Sequence, residues 1–189
     1  MRHDRDGGFT LIELLVVVSI IGIIGTVLGG VVMMGFNTYS YSTVRLNESN
    51  DRQLVADYFS RDAQSATTLA LSGGTCGTSS GTTVMRLTWN ESDASATPVV
   101  TAREVTYRLL AGTAPANGTL TRVLCSNGAV TSTIVVSSWV SPGASSVVAT
   151  CLTAALANDA TCAATDRGAR ITVTESGGAF VVDGVRRTE

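Results

Sequence analysis

The sequence contains no lysine, one histidine (His3) and three prolines. All 13 basic residues are therefore arginine, set against 15 acidic ones for a net charge of -2. Such a balance, with no basic run along the chain, gives no support for nucleic-acid binding, which needs a clustered basic surface. None of the four cysteines forms a C-x-x-C pair, and one remote histidine adds little. A zinc centre needs several such ligands at workable spacing, so this absence argues against one. No glycine-rich phosphate loop sits in the strand–helix context it requires, which leaves nucleotide chemistry without a site.

Charge is also missing from residues 14–44, and this absence is the informative one. Residues 14–36 are almost wholly apolar or glycine. As a helix this stretch would span about 35 Å at 1.5 Å per residue, enough to cross a bilayer core of about 30 Å. The rest of the chain is rich in Thr, Ser, Ala, Val and Gly, as in a small secreted β domain, so the positive mean hydropathy of +0.28 comes from one segment. A short polar peptide before the apolar run and a cysteine-bearing domain after it agree on direction, with the cysteines outside, where disulfides persist.

A secretory signal peptide is the first alternative. The run is too long for a typical signal core, and no clear A-x-A-like site follows it. Glu13 is also out of place, since an acidic residue at the centre of a membrane helix costs about 2.5–3.5 kcal/mol. Near the end the cost is smaller, but a generic anchor has no use for the carboxylate.

The string Gly8-Phe9-Thr10-Leu11-Ile12-Glu13, behind a polar leader and ahead of the uncharged run, resembles the type IV prepilin and pseudopilin family. The resemblance covers about the first 30 residues. It implies cleavage between Gly8 and Phe9 by a prepilin peptidase, and methylation of the new N-terminus at Phe9. It further implies that Glu13 pairs, in the assembled filament, with the N-terminal ammonium of a neighbouring subunit, neutralising two charges in an apolar core. The only histidine leaves with the leader, and with it the usual Ser-His and Cys-His catalytic arrangements. No enzyme and no cofactor is expected. The partners implied are the peptidase, other pilin or pseudopilin subunits, the membrane and, indirectly, an assembly ATPase and a platform protein.

After the apolar run, Val55, Tyr58, Phe59, Ala63, Ala66 and Leu69 recur near helical spacing and predict that the helix continues to Leu71. Glu48–Arg52 and Asp57–Arg61 have the i,i+4 order of stabilising ion pairs. From Thr82 the period becomes two. Met85, Leu87 and Trp89 mark one strand, and Val105, Tyr107 and Leu109 a second. Residues 120–125 and 133–140 supply two more. Residues 169–174 and 179–185 form a closing hairpin, while residues 141–166 read as mostly irregular. The four cysteines, Cys76, Cys125, Cys151 and Cys162, allow three pairings. Cys76–Cys125 with Cys151–Cys162 is preferred because the second pair closes a short loop, and the other two stay open.

Weaker signals each have a plainer reading. Asn158, Asp159 and Asp166 are oxygen ligands of the type calcium takes, but without EF-hand spacing. Asp57 and Asp62, five apart on a helix, read as solvated charges rather than a catalytic pair. Trp89 and Trp139 read as core residues. Arg186-Arg187 reads as a solvated chain end more readily than as a docking site.

The expected fold is α+β: a long N-terminal helix, its first half transmembrane, and a C-terminal antiparallel sheet. The expected divisions are a leader (1–8), a membrane and filament-core helix (9–37), its amphipathic continuation (38–72) and an extracytoplasmic β domain (73–189). The hairpin formed by Val105-Thr106-Tyr107-Arg108-Leu109 and Leu120-Thr121-Arg122, with Tyr58-Phe59-Ser60-Arg61-Asp62-Ala63 before it, is similar to the J-type minor pseudopilins. The expected function is that of a structural subunit of a pilus or secretion pseudopilus. A membrane-anchored binding module, at a DNA-uptake or adhesion tip, is the second reading.

Overall fold

The first helix, α1 (Leu11–Ser65), begins where Thr10 can cap it. The Glu13 amide donates to the Thr10 hydroxyl at 3.4 Å and to the Thr10 carbonyl at 3.1 Å, satisfying a donor that the first turn leaves open. The computed structural model describes residues 10–187 except 75, 78, 79 and 115, and leaves the side chains of residues 37, 40 and 41 undescribed. The chain divides into two compact units, with the boundary between Val44 and Arg45.

In the first unit, Leu11–Phe36 is a 26-residue apolar helical stretch with mean hydropathy 2.7 and none of it buried. At 1.5 Å per residue it covers about 39 Å, more than the apolar thickness of a bilayer. Ser19 and Thr26 return their hydroxyls to the Leu15 and Ile23 carbonyls, at 2.8 Å each. Their polarity is thus absorbed by the helix backbone, as a lipid environment demands.

The second unit packs the end of α1 against β1 (Thr68–Ala70), β2 (Thr82–Ser92), β3 (Val100–Leu110), β4 (Gly118–Ser126), β5 (Ala129–Val140), β6 (Val147–Leu152), β7 (Asn158–Asp159), β8 (Gly168–Glu175) and β9 (Gly178–Val185). All pairings are antiparallel, in the order β1-β2-β3-β4-β5-β8-β6-β7, with β9 also on β8. Val55 and Phe59 of α1 are fully buried against Leu87, Val105, Tyr107, Leu120 and Ile171. The Phe59 and Tyr107 rings meet edge to face at 5.5 Å. A long apolar helix followed by an antiparallel β domain fits the α+β, pilin-like fold.

One expectation is corrected and another is refined. The helix stops at Ser65, short of Leu71, and residues 68–70 form β1 instead. The Thr67 amide already donates to the Thr88 carbonyl at 2.8 Å. The adjacent β-branched Thr67 and Thr68 suit an extended chain, and Ala66 and Leu69 are still buried there. Residues 141–166 are mostly irregular, as expected, but contain the short strands β6 and β7, which the sequence reading did not single out. β6 gains its order from pairing with β8, from Val147↔Val173 to Leu152↔Gly168, a partner distant in sequence that no local signal announces.

Candidate functional site

Glu13 stands in the first turn of α1, where a carboxylate is favoured by the exposed amide dipoles. It is the one acidic residue in the Leu11–Phe36 stretch. Unlike Ser19 and Thr26, it is not absorbed by the helix: among the described residues its carboxylate has no hydrogen-bond or ion-pair partner. The flanking Leu11, Ile12, Leu14 and Leu15 are 82%, 71%, 62% and 58% exposed. A helix of this kind carries two unmet demands, an apolar surface to be covered and a charge to be neutralised. Gly8 and Phe9 lie outside the described residues.

In the second unit, the buried stripe of α1 carries acids that the spacing of the apolar residues concealed. Glu48, Asp51 and Asp62 are 5%, 8% and 4% exposed. They fall on the same helical face as Val55 and Phe59. Asp62, expected as a solvated charge, is instead the acceptor of a buried network. Its carboxylate takes Arg122 Nε at 2.7 Å, Arg122 Nη2 at 2.6 Å and the Tyr107 hydroxyl at 2.7 Å. The Arg122 guanidinium also lies 5.1 Å from the centre of the Tyr58 ring. Burial, then the Asp62 charge, push the Tyr107 hydroxyl well above its ordinary pKa. Burial works against the Arg122 charge, but the Asp62 contact outweighs it and raises that pKa.

Asp51 accepts the Ser138 amide at 2.7 Å, and Glu48 accepts the Gly177 amide at 3.1 Å and the Ser176 hydroxyl. Each satisfies a backbone donor of the sheet or its turn that would otherwise be left open. The expected Glu48–Arg52 pair is replaced, because Arg52 Nε reaches Glu175 at 2.9 Å and stacks 5.4 Å from the Phe180 ring. Burial raises the Glu175 pKa; Arg52 opposes this, and Glu48 and Asp51 reinforce it. The Asp57–Arg61 pair is present at 2.8 Å.

Cys76 is joined to Cys125, tying the loop after β1 to β4, and Cys151 to Cys162, with Cα separations of 5.6 and 5.3 Å. The calcium-type oxygens of Asn158, Asp159 and Asp166 are engaged elsewhere. Asp159 accepts the Thr161 amide and hydroxyl, Asp166 the Ala163 amide, and Asn158 a bond from Arg170. Among the described residues no group of three or more His, Cys, Asp or Glu is placed to hold a metal ion. Trp89 is half-buried against the main core, and Trp139 is half-buried. Arg186 is no solvated end: its guanidinium donates to the carbonyls of Ala66, Thr67, Ala164 and Asp166 at 2.6–3.3 Å.

Residues 4–29 match the family described as the prokaryotic N-terminal methylation motif. No curated protein and no solved structure matches the chain. The matched segment contains Gly8, Phe9 and Glu13 and extends over most of the exposed apolar helix, so the motif and the two unmet demands coincide.

Proposed function

We propose that this chain is a structural subunit of a type IV pilus or of a type II secretion-like pseudopilus, made as a prepilin and cut between Gly8 and Phe9. The observation that carries this reading is the methylation motif on a helix whose Leu11–Phe36 stretch is entirely exposed. Before assembly, lipid covers that surface and the helix anchors the protein, with the disulfide-bonded domain on the extracytoplasmic side. On assembly, the same surface packs against the helices of neighbouring subunits. Glu13 then accepts the methylated ammonium of Phe9 from a neighbour, a pairing that relieves both charges of isolation in an apolar core.

Processing and polymerisation are the work of partners: a prepilin peptidase, a platform protein and an assembly ATPase. The motif belongs to a structural rather than a catalytic class. Within that class the chain reads as a minor subunit of the J type. Support comes from the β3–β4 pairing, which runs from Arg103↔Ser126 to Leu110↔Thr119, and from the fastening of that hairpin to Asp62 through Tyr107 and Arg122.

Glu13→Val separates the two roles of the N-terminal segment. It is expected to leave cleavage after Gly8 and membrane retention unchanged, while lowering recovery in sheared or isolated filaments by about tenfold or more, since a buried ammonium left alone costs several kcal/mol. Incorporation equal to wild type would remove the role assigned to Glu13.

A further inference from the structure

The second unit contains a concave site that the filament reading does not use. It is a groove of about 800 Å³ between the C-terminal turn of α1, the loop before β8 and the residues after β9. Four of the chain's 13 basic residues converge on it: Arg61, Arg167, Arg186 and Arg187. These come from three separate segments, so no run of charge in the sequence reveals the cluster.

The four guanidiniums are not equivalent. Arg186 is fixed by four carbonyls, two of them just beyond the end of α1. It offsets the negative end of the helix dipole and makes a rigid, positively charged floor. Arg61 is held by Asp57 at 2.8 Å. Arg167 and Arg187 are exposed, and among the described residues their side chains have no hydrogen-bond or ion-pair partner. Among the described residues the acids nearby are Asp57, engaged by Arg61, and Asp166, whose carboxylate accepts the Ala163 amide at 2.7 Å. Counted over the described residues, the groove keeps a local positive excess on a chain whose overall charge is negative.

We propose that this groove is a binding site for a phosphate-class oxyanion, held by Arg167 and Arg187 over the fixed charge of Arg186. Guanidinium forks match the paired oxygens of such a group, and arginine is the side chain suited to that geometry. The Ser65 hydroxyl and the Gln64 amide, also on the lining, supply neutral donors. The site is a pocket rather than a stripe, which fits one or two phosphate groups. The anion can come free in solution or as part of a nucleic-acid backbone. The inference does not depend on cleavage or on filament assembly.

The test uses the full chain in a neutral detergent at low salt. Pyrophosphate is titrated by calorimetry, and a short fluorescent oligothymidylate by anisotropy. The variants are the double substitution Arg167→Ala/Arg187→Ala and, as a charge-matched control away from the groove, Arg45→Ala/Arg103→Ala. Saturable binding that the double substitution weakens by about tenfold or more, and the control leaves within about twofold, is the expected result. Pyrophosphate binding alone identifies a free anion as the ligand. Binding of the oligonucleotide, with or without pyrophosphate, identifies the phosphodiester backbone. Absence of saturable binding in both arms, or equal loss in the control, overturns the proposal.

Discussion

Removing the Asp62 carboxylate is expected to be among the most damaging single changes available in the second unit. The pair is deeply buried, with side-chain exposures of 8% for Arg122 and 6% for Asp62. Asp62→Ala deletes all three charge-assisted bonds at once. It leaves a guanidinium with only the Tyr58 ring for company and a buried Tyr107 hydroxyl without its acceptor. Breaking one side of a buried pair costs about 3–5 kcal/mol, a large share of the roughly 5–15 kcal/mol that holds a domain together. Asp62→Asn keeps the volume and one acceptor oxygen and should cost less.

The triple change Asp62→Leu/Arg122→Met/Tyr107→Phe replaces the network with apolar groups and should return most of the loss, since such replacements are often neutral. Urea unfolding followed by the fluorescence of Trp89 and Trp139 reads all of these. The Tyr107 pKa adds a signature. Below about pH 10 the hydroxyl is neutral in both folded and unfolded chains, so it contributes fully. Above that the unfolded chain loses the proton first, because burial and Asp62 hold the folded pKa higher. Stability therefore falls as pH rises from about 10 through the folded value, and Tyr107→Phe should flatten that slope. A cost below about 1 kcal/mol for Asp62→Ala would refute the account of a buried, desolvated pair.

Two further outcomes follow from the same unit. The Cys76–Cys125 bridge closes a separation of 49 residues and the Cys151–Cys162 bridge one of 11. By loop-closure entropy these are worth about 4 and about 3 kcal/mol, so Cys76→Ser/Cys125→Ser should lower the urea midpoint more than Cys151→Ser/Cys162→Ser; the reverse order would contradict the assignment. Gly184→Ala would drive a methyl group into the Ala63 side chain and against Phe59, at a cost of about 1–3 kcal/mol of overpacking; an unchanged thermal midpoint would mean that β9 does not rest on α1 there.

How much of this was legible depended on whether the signal was local. The apolar helix, the place of Glu13 and the alternating strands announce themselves through period and charge. Ser126-Asn127-Gly128-Ala129 is also a local signal, and a stronger one than the reading of residues 133–140 as a strand allowed. Asn127 and Gly128 take φ of 49° and 81°, the two-residue hairpin that Asn-Gly favours, and β5 accordingly starts at Ala129. The buried acids were visible in principle, because Glu48, Asp51, Val55, Phe59 and Asp62 repeat at intervals of three and four. Reading only apolar residues as the packed face hid them. Arg122, Tyr107 and Arg186 carry no such local mark. They meet their partners through pairings 60, 45 and about 120 residues apart, which only the folded sheet brings together.

The most direct test of the central claim is the intact mass of the protein isolated from its native membranes, with and without prepilin peptidase. The account predicts a chain that begins at a methylated Phe9 when the peptidase is present and keeps residues 1–8 when it is absent. A chain that retains residues 1–8 in the presence of active peptidase would contradict it, and would leave a membrane-anchored disulfide-bonded domain that is not a filament subunit.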